Sequence, residues 1–344
     1  MRSWSWSTIC RFGFRKISTS LPEPTSSTST GTRTSCNWPP STLGPRGETV
    51  VPFVNLPLSH VVRHPHYLEL FLECRINPEL GLDAWACDHL GLDWHRNLAR
   101  TLSESGLSCS IHLPFFDLQP GGLDSLIVKA TRERLSRALD LADVYAPKRL
   151  VAHGAFRPPL YEFYLEDWVR ESVRTWEHCL DSMPDSGLLV LENVWETSPE
   201  PLLRVLAELP EKRVGLCLDL GHWYAFGQGW ERKDLNAWIE KIAPRLAHVH
   251  LHDNHGHRDE HLGMGCGTIP WAEFFECIRR FGARPTATLE PHESAALIHS
   301  LHFLVDRGQD LECLSLTGPP LQKVLSGVSD FLGRFEGAQG GGGR

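Results

Sequence analysis

The sequence predicts an α/β fold, a single (β/α)8 barrel, from three observations. Eight short apolar runs recur between residues 51 and 289, helical stretches with apolar residues at i, i+3 and i+4 separate them, and six successive runs end in His, Asp or Glu. Such a barrel needs about 250 residues, which the span 50–309 supplies. An open doubly wound sheet is the alternative, but it normally carries a Gly-rich phosphate-binding turn after its first strand. None follows the first apolar run here.

The strands are expected at 51–56, 79–82, 109–113, 149–152, 188–191, 214–218, 246–251 and 286–289. Helices are expected at 66–75, 94–105, 126–142, 168–180, 201–207, 235–242, 271–281 and 295–305. The clearest is the third, where Leu126, Ile127, Ala130, Leu135 and Leu139 form one stripe and Arg132, Arg134 and Arg137 the other face. Residues 1–49 are rich in Ser, Thr and Pro, bury too little to offset the entropy of ordering, and are expected to be disordered. Their Arg- and Ser-rich character resembles an organellar transit peptide, but no amphipathic helix accompanies it, so an upstream extension from a misplaced start codon is preferred. Residues 310–344 are expected to form a C-terminal tail ending in a flexible Gly-rich segment.

Composition narrows the function classes. Hydrophobic residues make up 41% and charged residues 22% of the chain, ordinary for a soluble globular protein. No apolar run approaches the length of a membrane span. The net charge is −8, but residues 1–50 hold six basic and two acidic residues, leaving 28 basic against 40 acidic in the remainder, or −12. An acidic body argues against a nucleic-acid partner, because such binding relies on Lys and Arg neutralising phosphates. The ten cysteines contain no Cys-x-x-Cys pair, which points to a reducing compartment, here the cytoplasm, and away from cysteine as a metal ligand.

The strand ends carry the chemistry. In order they bring His112, His153, Glu192, Asp219, His250 and Glu290 to the edge where barrel enzymes keep their active sites. A single acid at such a position is commonly a helix cap, but six in series cannot all be caps. His222 follows Asp219 by three residues, and Asp259 and His261 follow the seventh strand in one loop. Imidazoles and carboxylates in this density are the makings of a Zn, Mn or Fe site. His252, Asp253, His255 and His257 are read as supporting or solvated residues, with Asp253 placed to orient a ligand histidine. Gly263, Gly265 and Gly267 are expected to let the backbone pass close to an ion. Phe115, Phe116, Trp223, Tyr224 and Phe226 are expected to wall the pocket. Arg157, Lys148 and above all Arg258 are candidate phosphate contacts, with Arg258 taken as the substrate-binding residue.

The set His112, Ala152-His153-Gly154, Leu191-Glu192-Asn193, Asp219-x-x-His222, His250-Leu251-x-Asp253, Asp259-x-His261 and Leu289-Glu290 resembles the xylose-isomerase-like TIM-barrel superfamily over about residues 50–305. That superfamily includes sugar phosphate isomerases and epimerases and AP endonucleases of the endonuclease IV type. In the endonuclease branch the resemblance implies three zinc ions. His112 and His153 would bind the first, Asp219, His250 and Glu290 the second with Glu192 bridging, and His222, Asp259 and His261 the third. In the isomerase branch it implies one Mn or Mg on Glu192, Asp219, His250 and Glu290, with the two glutamates as the proton-transfer pair.

Isomerisation next to a carbonyl needs one Lewis acid and one or two bases, and leaves Asp259 and His261 without a task. Hydrolysis of a phosphoester employs clustered cations to activate water and to stabilise the leaving oxygen. The expectation is therefore a metal-dependent hydrolase acting on a small sugar or sugar-phosphate compound, with isomerisation or epimerisation as the alternative and a non-catalytic metal- and ligand-binding barrel as the third reading. No wedge or basic track for opening a DNA duplex is evident.

Overall fold

The computed structural model describes residues 51–183 and 187–340. The segment expected to be disordered, 1–49, and the Gly-rich end, 341–344, lie outside the described residues. Eight parallel strands close into a barrel in sequence order: β1 Phe53–Pro57, β2 Pro78–Gly81, β3 Ser110–His112, β4 Leu150–His153, β5 Leu189–Glu192, β6 Val214–Asp219, β7 Leu246–Leu251 and β8 Thr286–Leu289. The ring shuts where Phe53 and Val54 pair with Thr288 and Leu289. Closure leaves no sheet edge unpaired.

The helices outside the barrel form where their apolar stripes meet the strands. Helix Ser125–Ala142 starts at Asp124, whose carboxylate accepts from the N–H groups of Leu126 and Ile127 at 2.8 and 3.4 Å. It buries Val128, Leu135, Ala138 and Leu139. Helices Leu92–Glu104, Leu165–Asp181, Glu200–Glu208, Leu235–Ile242, Trp271–Phe281 and Ser294–Arg307 bury comparable stripes. Short extra helices, Pro158–Tyr161 and Leu220–Ala225, follow β4 and β6 at the ligand-bearing end.

Residues 310–344 were expected as a C-terminal tail; among the described residues the packed body continues past the barrel. Helix Gly318–Gly340 lies against helices Ser294–Arg307 and His66–Cys74. It buries Leu321, Val324, Leu325, Val328 and Phe331, an i, i+3, i+4 stripe. The glycines of that segment hide the pattern from a compositional reading.

Inside the barrel, Val151, Val190, Cys217 and Ala247 form a small apolar cluster of their own. The pairing of β6 with β7 slips by one residue, from Leu216 opposite Leu246 to Cys217 opposite His248. Such a bulge re-aims the side chains beyond it; here those are His248 and His250. All eight described cysteines are free, seven of them buried and Cys266 exposed. Among the described residues, no helix is long and apolar enough to cross a membrane.

Candidate metal centre

His112, His153, Glu192 and Asp219 are the last residues of β3 to β6, His250 is the penultimate residue of β7, and Glu290 directly follows β8. His222 stands on the short helix after β6, and Asp259 and His261 on the loop after β7. Closing the barrel turns these positions into one opening, and the nine side chains converge there.

Glu192 is at the centre. Its Oε2 is 3.1 Å from His112 Nε2 and 3.4 Å from His153 Nε2, and its Oε1 is 3.2 Å from His222 Nδ1 and 3.4 Å from His250 Nδ1. His250 Nδ1 also faces Glu290 Oε1 at 3.2 Å and Asp219 Oδ2 at 3.7 Å. The remaining corner joins Asp259 Oδ2 to His261 Nε2 at 2.9 Å and to His222 Nε2 at 3.4 Å. Asp219 proves to be cap and candidate ligand together: one oxygen accepts from the His222 N–H at 2.6 Å, capping helix Leu220–Ala225, while the other faces the imidazoles.

Three of the histidines are aimed by backbone carbonyls. His112 Nδ1 lies 2.9 Å from the Leu113 carbonyl, His222 Nδ1 3.0 Å from that of Asn193, and His261 Nδ1 2.8 Å from that of Glu290. A carbonyl only accepts, so each ring keeps a proton on Nδ1, and Nε2 is the nitrogen turned to the cluster and available to a cation in place of its proton.

Charge is balanced by protons in this arrangement. Burial would raise the Glu192 carboxyl, but His250, His153 and hydrogen bonds from His112 and His222 outweigh it and hold it well below the usual range. Burial likewise opposes ionisation of Asp259, yet His261 and His222 keep it well below. The partner imidazoles respond in kind. Despite burial, His250 is lifted well above its usual value by Cys217 and by Glu290, Glu192 and Glu79, and His222 by Asp219 and Asp259. Asp259 overcomes the burial of His261 and raises it to about 9. Divalent cations would satisfy the same demand for positive charge.

The donor set fits such ions. Imidazole nitrogens and carboxylate oxygens are the ligand types of Zn and Mn. Four buried atoms here, His250 Nδ1 and Nε2, His252 Nδ1 and Asp259 Oδ1, have no hydrogen-bond partner among the described residues. His112, His153 and Glu192 could hold one ion, and Glu192, Asp219, His250 and Glu290 a second. His222, Asp259 and His261 could hold a third. Donor atoms within 4.8 Å of one another group as His112–His153–Glu192, Glu192–Asp219–His222, Asp219–His252–Glu290, His252–Asp259–His261 and, deeper in the barrel, Glu79–His248–His250.

His252 is not solvated but lies inside the cluster, among the candidate ligand atoms. It is 1% exposed, its Nε2 lies 3.2 Å from Asp219 Oδ1 and 3.6 Å from Asp259 Oδ1, and its ring stacks on His261 with centroids 3.9 Å apart. The signal was available: positions 248, 250 and 252 share one face of an extended chain. His255 and His257 do stay outside, the first on Glu260 at 2.9 Å and the second against Trp230.

Asp253 does not orient a histidine. Its Oδ1 accepts from the N–H groups of Asn254 and Ile269, and its Oδ2 from those of Gly265 and the Trp271 indole, at 2.8 to 3.1 Å. It gathers the Gly-rich loop, whose glycines are required by packing. A Cβ at Gly263 would meet His299 Cβ at 2.5 Å, and one at Gly267 the Asn254 carbonyl at 2.4 Å.

The cationic candidates separate. The Arg258 side chain is 76% exposed and reaches only Glu260, at 4.0 Å, so the structure does not bring it to the cluster. Lys148 precedes β4 and lies at the opposite end of the barrel. Arg157 stands over the Trp195 ring at 5.4 Å, Trp195 stacks on Phe226 at 4.3 Å, and Phe226 stacks on His222 at 5.6 Å. Phe115 stacks on His153 at 4.3 Å and Phe116 on Phe115 at 4.6 Å, forming the facing wall. Trp223, expected in the wall, is 1% exposed and gives its indole N–H to Asp234. Trp195 takes that place instead.

Comparison with known proteins places this arrangement. The chain is 28% identical over 187 residues to the uncharacterized protein MJ1311 of Methanocaldococcus jannaschii, spanning 52% of this chain and 63% of that one. It is 22% identical over 198 residues to a probable endonuclease 4 of Mycobacterium leprae, spanning 55% and 75%. Among solved structures, the TTHB071 protein of Thermus thermophilus soaked with ZnCl2 superposes with a TM-score of 0.59 at 25% identity, over 73% of this chain and 95% of that one. A D-tagatose 3-epimerase-like protein superposes with a TM-score of 0.58 at 20% identity, over 77% and 98%, which speaks to the fold alone. The family profile described as xylose isomerase-like TIM barrel matches residues 74–307, from the end of helix His66–Cys74 to the end of helix Ser294–Arg307, and the chain belongs to that family.

Proposed function

We propose that this chain is a metal-dependent hydrolase of phosphoesters, acting on a small sugar or sugar-phosphate compound with up to three divalent cations, zinc by preference. One observation carries the reading: the corner made of His222, Asp259 and His261 is assembled next to Asp219, with Asp259 within 2.9 Å of His261 and 3.4 Å of His222. A reaction that needs a single cation has no use for that corner. Cations held in such a cluster lower the pKa of water and offset charge on the phosphoryl oxygens and the leaving group. Glu192 holds the cluster together through both oxygens, and the carbonyls behind His112, His222 and His261 keep the imidazoles from rotating. Phe115 and Phe226 line two sides of the opening and exclude bulk water, which strengthens every charge interaction between them.

A second reading is supported by Glu192 and Glu290 lying 3.4 and 3.2 Å from the same His250 nitrogen. Those two carboxylates would take a proton from a sugar carbon next to a carbonyl and return one on the other face, with a single Mn or Mg. The fold neighbour named as epimerase-like is compatible with it.

Metal analysis of protein purified without chelator, joined to a paired substitution, separates the readings. About three zinc ions per chain and cleavage of a chromogenic phosphoester, abolished by Asp259→Ala with His261→Ala, are expected for a hydrolase. About one ion per chain, with sugar epimerisation that survives the same substitutions, would replace hydrolysis by the second reading. A chain that takes up no metal after reconstitution would sink both. Cleavage of a duplex containing an abasic site would change the substrate and leave the reaction class standing.

A further inference from the structure

β2 supplies no residue to the ring of strand-end ligands, yet it carries a buried carboxylate inside the barrel. Glu79, the second residue of β2, is 1% exposed. Its Oε1 lies 3.0 Å from His250 Nε2. Neither atom has a hydrogen-bond partner among the described residues, so this contact is the nearest polar group each of them meets. A buried ionisable pair held this close is satisfied by its own contact or by an ion shared with His248.

The rest of the network leaves that oxygen free for His250. Glu79 Oε2 accepts the Thr288 hydroxyl proton at 2.9 Å. Thr288 can then only accept from His248 Nε2, at 2.8 Å, and His248 Nδ1 meets the Thr286 hydroxyl at 2.7 Å. Both nitrogens of His248 are thereby occupied. His250 differs: its Nδ1 faces Glu290, Glu192 and Asp219 at 3.2, 3.4 and 3.7 Å.

We infer that Glu79 is the positioning residue for His250: it accepts the Nε2 proton from inside the barrel and so directs the Nδ1 lone pair into the space between Glu192, Asp219 and Glu290. Carboxylates behind metal-bound histidines fix the tautomer and ring orientation and raise ligand basicity. The inference rests on the proposed metal-dependent reading but not on the choice of reaction, since His250 serves the hydrolase and the epimerase alike.

The test compares the full chain with Glu79→Gln, Glu79→Met and His248→Gln, measuring zinc stoichiometry and affinity by chelator competition, with thermal melting of each metal-free protein alongside. Glu79→Gln keeps an acceptor oxygen without the charge, and should weaken one zinc equivalent about tenfold; Glu79→Met should weaken the same equivalent about a hundredfold. The remaining equivalents should keep their affinity, and cobalt substituted at the affected position should show a changed visible spectrum. If Glu79→Met does not fold, the isosteric Glu79→Gln carries the measurement. Wild-type affinity for every equivalent in both Glu79 variants would overturn the inference. So would a His248→Gln variant that loses the same equivalent as severely as Glu79→Met, because Glu79 and His248 would then be ligands themselves. A wild-type chain that binds no metal overturns the metal-dependent reading and this inference with it. One that binds metal and epimerises overturns hydrolysis only.

Discussion

The two sides of the barrel interior support their ligands by different means. Two residues before His153, Glu192 and Asp219 come Val151, Val190 and Cys217, each fully buried and packed together. On the other side, the residues under His250 and Glu290 are Glu79, His248, Thr286 and Thr288, all 8% exposed or less and joined by hydrogen bonds. On the apolar side a ligand is placed by its strand, over a floor of Val151, Val190 and Cys217. On the polar side it is aimed by other side chains. A floor of the first kind tolerates no added polar atom, and one of the second kind tolerates no missing one.

Exchanging the two characters tests this directly. Thr288→Val preserves shape but removes the hydroxyl that Glu79 accepts and the oxygen that His248 faces, leaving two buried groups short of a partner. A loss of about 2–3 kcal/mol is expected in urea unfolding of the metal-free protein, together with weaker zinc binding. Val190→Thr buries a new hydroxyl among apolar neighbours and should cost about 1–2 kcal/mol while zinc affinity stays constant. The contrast would collapse if Thr288→Val were neutral or if Val190→Thr disturbed the metal.

Proton linkage probes both sides together. Burial pushes His248 down to about 4, and His153 down to about 3. The unfolded chain takes up these protons near the ordinary histidine value of about 6.5 while the fold refuses them, so stability should decline as pH falls from there toward 4. His261, raised to about 9 by Asp259 against its burial, acts in the opposite sense. Its contribution is complete below about 6.5 and is lost as pH rises through about 9. Metal-free protein should therefore melt highest near neutrality and lower on both flanks. Zinc should remove the alkaline flank, because the ion replaces the proton on His261. An alkaline decline that persists in the loaded protein would contradict that assignment.

The smallest effect is expected at Arg258. With a side chain 76% exposed, Arg258→Ala should leave stability within about 0.5 kcal/mol. Its KM should change little as well; an increase beyond about tenfold with kcat unchanged would return Arg258 to the substrate-contact role its sequence position suggested.

Much of this was readable from the chain because two signals coincide at the strand ends. Apolar runs stop, and a His, Asp or Glu stands at the stop, as at Ala152-His153 and Leu191-Glu192. Glu79 gave no such signal. It opens a short run, where a carboxylate reads as an exposed strand start, and only barrel closure brings it to His250. His252 was obscured by its polar neighbours, although its even spacing from His250 places it on the same face. Trp195 escaped because stacking on Phe226 joins two loops that are distant in sequence. The helix Gly318–Gly340 escaped because glycine content outweighed its apolar stripe.

The loop after β7 is closed at its neck. Asp253 and Leu262 exchange two backbone hydrogen bonds, each 2.9 Å, and the Asp253 carboxylate ties down the strand exit with four more. Everything between, including Asp259 and His261, is one loop closed at that clasp and held to its neighbours through His261 on the Glu290 carbonyl and Asp259 on His222. A lineage built on this scaffold could thus exchange Asp259 and His261, two of the three residues of the candidate third corner, with one loop, while His222 stays on the helix after β6.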